Sequence, residues 1–208
     1  MDYISLLIIG FIVGLSGAML PGPMLVYTIS KVLQGKKINA LFIVLGHIFI
    51  EAVTIVLILW GLKPIISSKI LYNFVLILGA AVLILMGLHI IFRASQMNLS
   101  IKNKNISFSS GLIVGGAFFT AFNPTFPTWW VSVGVSLLSR ALLVGILGVI
   151  VLVLGNWLAD LAWFSLVALA LDSGKLWLND RRYQLVLRIL GVILVGLGLW
   201  FILQIRRQ

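Results

Sequence analysis

Leu45-Gly46-His47-Ile48-Phe49-Ile50-Glu51 and Leu154-Gly155-Asn156-Trp157-Leu158-Ala159-Asp160 follow one pattern: leucine, glycine, a polar side chain, and a carboxylate four residues later. Residues four apart share one face of a helix. Both stretches are otherwise apolar. A charged side chain at bilayer depth costs at least about 2.5–3.5 kcal/mol on insertion scales, so it marks an ion or substrate path. Two such positions in two halves of one chain point to a transport protein built from a duplicated unit.

The rest of the chain supports a membrane setting. It has 208 residues, 62% hydrophobic and 10% charged, with a mean hydropathy of +1.20. A soluble domain does not carry so little charge over so much apolar sequence. Apolar stretches leave no room for an appended soluble domain, so residues 1–208 read as a single membrane domain. The net charge of +10 is not read as a nucleic-acid footprint, because the Lys and Arg residues lie between apolar segments, where they set topology and meet lipid headgroups. With no cysteine, disulfides and thiolate chemistry are excluded. The N-terminus lacks a basic region and a cleavage site, and reads as a retained span.

A spanning helix needs about 20 mostly apolar residues. Six candidates appear, at about 4–30, 40–62, 70–92, 111–138, 141–171 and 185–204, with a tight turn at Ser139-Arg140. The first and fourth contain prolines and read as broken helices. Residues 31–37, 93–104 and 175–188 carry ten of the 15 Lys and Arg residues, which assigns that side to the cytoplasm and both termini to the outside. The expected fold is an all-α integral membrane protein of two three-helix repeats, residues 1–93 and 111–208, joined by a polar loop at 94–110. Gly10 to Gly14 answers Gly111 to Gly115, and Tyr72, Gly79 and Gly87 answer Tyr183, Gly191 and Gly198. An odd number of spans per copy makes the repeats inverted.

Pro21-Gly22-Pro23 interrupts the first span, since proline removes a donor and clashes with the preceding turn. Backbone freed at membrane depth survives only if buried or lining a cavity. The half-helix that follows, from Met24 to Tyr27, offers free N–H groups and a positive dipole end suited to a carboxylate. Asn123-Pro124-Thr125-Phe126-Pro127-Thr128-Trp129-Trp130 is the partner break. Asn123, Thr125 and Thr128 supply polar groups, while the tryptophans could line a pocket or anchor at the membrane interface.

Substrate-binding candidates are therefore Pro21, Gly22, Pro23, Met24, Tyr27, Asn123, Pro124, Thr125, Thr128, Trp129, Asn156 and Asp160. A substrate ammonium would face Asp160 and Asn123. Glu51, Asp160 and His47 are candidates for proton coupling, because burial and a like-charged neighbour favour the protonated acid and histidine can shuttle protons. His89 reads as interfacial. His47, Glu51, Asp160 and Asn156 would make only a sparse divalent-cation site, and no metal or cofactor is expected.

In order along the chain, Pro21-Gly22-Pro23, Lys36-Lys37, Gly46-x4-Glu51, Asn123-Pro124 and six apolar segments resemble the LysE/RhtB family of amino-acid exporters. The resemblance implies gradient-driven export of amino acids or close derivatives by a homodimer in the prokaryotic cytoplasmic (inner) membrane. It places the substrate site at the two breaks and the family's acidic positions at Glu51 and Asp160. This chain carries Glu51 with His47 before it, where members often carry a small residue and Asp. Alternatives are a divalent-cation exporter or channel of similar architecture, and a non-transporting membrane subunit.

Overall fold

A computed structural model describes residues 2–20, 22–61, 69–96, 110–174 and 180–205. Pro21 and most of the polar loop lie outside these residues. Helix α1 runs Tyr3–Ala18 and is capped by Asp2, whose carboxylate accepts from Ser5 N–H at 2.7 Å. That capping interaction holds the Asp2 carboxyl below its ordinary value. Helix α2, Pro23–Gln34, starts with proline at its first position, where the missing N–H costs nothing, and lies at 81° to α1. Helix α3 is Asn39–Leu59 and α4 is Lys69–Arg93. The Asn39 amide turns back to donate to Lys31 C=O at 2.9 Å, capping the end of α2.

The second half is more fragmented. Helix α5 is Ser110–Ala121 and α6 is Thr125–Trp129. A π-helical turn follows at Trp130–Gly134, then α7, Val135–Leu142. The expected fourth span is thus broken before Thr125, and the helical run from Thr125 to Leu142 carries the π turn inside it. The Asn123-Pro124 break and the π turn both interrupt its regular hydrogen bonding. Ser139 and Arg140 are helical, contrary to the turn expected there; the chain turns later, at Gly145, where φ is +101° and only glycine is unstrained. Helices α8, Ile146–Gly174, and α9, Asp180–Ile205, complete the chain. Among the described residues, four helices are long and apolar enough to span a membrane, or five if α1 and α2 count as one bent span; six were expected. Large apolar side chains such as Ile4, Leu85, Phe92 and Leu143 point outward, consistent with a lipid environment.

Where helices cross, glycine lets backbones touch. On the crossing of α1 and α8, Gly10 lies on Leu152 C=O and Gly155 on Leu7 C=O. On the crossing of α3 and α5, Gly46 lies on Ile113 C=O and Gly116 on Ile43 C=O. Helices α4 and α9 meet through Gly87 and Gly191, each facing the other's carbonyl. Lipid tails are as apolar as leucine, so close packing rather than hydrophobicity drives such association. The functional site lies between two apolar clusters, one containing Trp130 and Leu152, the other Met24 and Ile43.

Substituting Gly46→Ala would drive a Cβ into the Ile113 carbonyl, whereas a Cβ at Gly196 meets nothing within 4 Å. Gly46→Ala is expected to destabilise the detergent-solubilised protein by about 1–3 kcal/mol. Gly196→Ala should leave its thermal unfolding unchanged or slightly raised.

Candidate functional site

The repeated pattern places its polar groups as the sequence suggests. His47 and Glu51 project from one face of α3, and Asn156 and Asp160 from one face of α8. Glu51 and Asp160 are each only 3% exposed. Glu51 Oε1 accepts from Asn156 Nδ2 at 2.9 Å and from Trp130 Nε1 at 3.2 Å. His47 Nε2 lies 3.6 Å from Asp160 Oδ2 and 4.0 Å from Glu51 Oε1. Its Nδ1 is 2.9 Å from Thr120 Oγ1 on α5. Among the described residues, Glu51 Oε2 and Asp160 Oδ2 have no hydrogen-bond donor. With His47 charged, two carboxylates around one imidazolium leave a net charge of −1, so the cluster has a place for one further cation or proton.

The three donor atoms lie within 4.8 Å of one another. Glu51 Oε1 already accepts two hydrogen bonds, and Asn156 turns its N–H, not its carbonyl, toward that oxygen.

A cavity of about 60 Å³ adjoins the cluster, with room for a few waters or a molecule of few heavy atoms. Gly22, Met24, Asn123, Thr125 and Trp129 line it together with His47, Glu51, Asn156 and Asp160. Gly22 caps α2 without a side-chain hydrogen bond, so the amides of Met24 and Leu25 are uncapped, and both residues line the cavity. Asn123 Oδ1 accepts from Thr125 N–H at 3.2 Å and from its hydroxyl at 2.8 Å. That oxygen is occupied, which leaves the Asn123 amide N–H groups as the free function, beside Gly22.

The remaining candidates lie apart. Tyr27 stacks on Phe119 with ring centroids 4.7 Å apart and reaches Gly111 C=O at 3.3 Å. Pro23 starts α2 beside the cavity without lining it. Pro124 and Thr128 border a second hollow of about 320 Å³, together with Trp200 and Phe201. Thr128 spends its hydroxyl on Pro124 C=O at 2.8 Å. Trp129 stands between the two hollows, its indole against Gly17. Pro21 is outside the described residues.

Thr120, at the site, was not singled out from sequence; Gly14 entered only through the repeat match, and Trp130 was weighed only alongside Trp129. Trp130 reaches Glu51 because the π turn begins there and Gly134 leaves space for its ring; π turns favour functional positions. Thr120 is the one hydroxyl in the apolar stretch 111–121, one turn before the Asn123 break, and that was its only available signal.

If Asn156 supports Glu51, Asn156→Ala and Glu51→Gln should not be additive. A double-mutant cycle on thermal unfolding in detergent is expected to give a coupling of about 0.5–1.5 kcal/mol.

The profile of the LysE type translocator family matches residues 15–205. Searches of curated proteins and of solved structures found no match.

Proposed function

The chain belongs to the LysE type translocator family, whose members are transporters of small molecules such as amino acids and not enzymes, and from that premise we propose that it is a proton-coupled secondary exporter of amino acids or close derivatives, working by alternating access. The observation that carries the reading is that an uncapped helix N-terminus and two buried carboxylates line the same cavity. That is the charge pattern of a zwitterion. The amides of Met24 and Leu25 and the free N–H groups of Asn123 take the carboxylate. Asp160 takes the ammonium. Asn123 thus serves the carboxylate, because its oxygen is held by Thr125. A proton arriving at the His47–Glu51–Asp160 cluster competes with the ammonium for the one vacant positive charge and promotes release. Among the described residues, no Lys or Arg lines the cavity.

Inverted repeats fit the contacts. The α1/α8 and α3/α5 crossings have the same layout, each half lending its first helix to the other half's second. The contacts favour a register in which Gly10 answers Gly116 rather than Gly111, and Gly14 then answers Thr120. The Lys and Arg bias supports a cytoplasmic face at residues 31–37. Family kinship supports a homodimer in the prokaryotic cytoplasmic membrane.

The reading is tested with proteoliposomes, a panel of labelled amino acids, and an imposed or collapsed pH gradient. Uptake should saturate, follow the gradient, and fall at least about tenfold, or about 1.4 kcal/mol, in Glu51→Gln and in Asp160→Asn. Movement of divalent cations with no amino-acid uptake would replace the reading with cation export.

A further inference from the structure

We propose that Thr120 is a positioning residue that keeps one proton on His47 Nδ1, so that only Nε2 gains and loses a proton; this rests on the proton-coupled reading above. The argument begins with the Thr120 hydroxyl, which has a single hydrogen. It lies 2.8 Å from Gly116 C=O, one turn back in α5, and Met24 Sδ at 3.6 Å is the weaker alternative. With that hydrogen committed to the carbonyl, Thr120 Oγ1 can only accept at its 2.9 Å contact with His47. The donor there is then Nδ1–H. The other ring nitrogen, Nε2, is the one that faces the acids.

The surroundings leave no rival for either nitrogen. Among the described residues, the charged groups facing His47 are Glu51 from its own helix and Asp160 from α8. From α5 it meets Thr120, and from α6 the edge of the Phe126 ring, with centroids 5.8 Å apart. Thr120 is 1% exposed and borders the same cavity as His47. The corresponding crossing of α1 and α8 differs: Gly14 lies against Asn156, an amide that cannot titrate, and offers it no side-chain acceptor. Of the two similar crossings, the one between α3 and α5 sets an imidazole against a side-chain acceptor, and Thr120 determines which of its nitrogens carries the proton. The fixed tautomer also keeps the ring oriented. A ring with its neutral-state proton on Nε2 would present a donor to Asp160 throughout the cycle and could not accept a proton there.

The test is ¹⁵N-histidine NMR on the full chain in lipid nanodiscs, where chemical shifts distinguish the two neutral tautomers. The only other histidine, His89, serves as internal reference. Thr120→Val removes the acceptor at nearly constant shape, and Thr120→Ser retains it. Neutral His47 should be the Nδ1–H form in the unaltered protein and in Thr120→Ser, and should switch to Nε2–H in Thr120→Val. The pH midpoint of transport in proteoliposomes should move by about half a unit to one unit in Thr120→Val, the effect of one hydrogen bond, and stay in place in Thr120→Ser. An Nε2–H tautomer in the unaltered protein would overturn the proposal, as would an unchanged tautomer and midpoint in Thr120→Val. The tautomer is read without transport, so failure of all amino-acid uptake would count against the exporter reading and leave the Thr120 result standing.

Discussion

Two carboxylates and one imidazole held out of water are the constraint around which the rest of this structure is arranged. A carboxylate buried in low dielectric needs donors or a counter-charge, because the attraction of a partner must offset the loss of hydration. Glu51 obtains two donors, one from α8 and one from the π turn. Asp160 obtains the imidazole. Each donor comes from a different part of the chain, so the site exists only when α3, α8 and the Trp130 segment are all in place. Side chains that would be costly alone thereby tie the elements together.

The glycine crossings make this possible. Asn156 reaches Glu51 because α1 and α8 approach until Gly10 and Gly155 touch backbone, with Gly14 against the Asn156 side chain. His47 reaches Thr120 because Gly46 and Gly116 do the same for α3 and α5. Larger residues at these positions would part the helices by ångströms, and a hydrogen bond is lost over less than one. The outward faces carry leucine, isoleucine and phenylalanine that need only match lipid.

What was legible in the sequence follows from this division. Glu51, Asp160, His47 and Asn156 stood out because a polar group in an apolar helix is visible locally, without knowledge of its partner. The two breaks were legible for the same reason, since proline acts on its own turn. Thr120 and Trp130 were not, because their importance lies in contacts between segments far apart in the chain, to which no spacing rule points. The turn expected at Ser139-Arg140 shows the opposite error. Arg140 lies in the last turn of α7, where a cation suits the helix dipole, and glycine at 145 makes the turn. The register of the proposed repeat in the first helices was the least legible feature, because glycines are frequent enough in these helices to align in more than one way.

The π turn at Trp130–Gly134 holds one residue more than α-helical winding would. That surplus acts like the slack in a mechanical coupling. Rewinding it to α geometry would rotate everything beyond it by about 100° and displace it by about 1.5 Å along the axis. At the first residue of the turn is the indole that holds Glu51; beyond the turn is α7, whose Leu138 and Ala141 are buried. The helix can therefore be geared differently at its two ends, so that α7 can change its grip on its neighbours while the contact to Glu51 stays fixed, or the reverse.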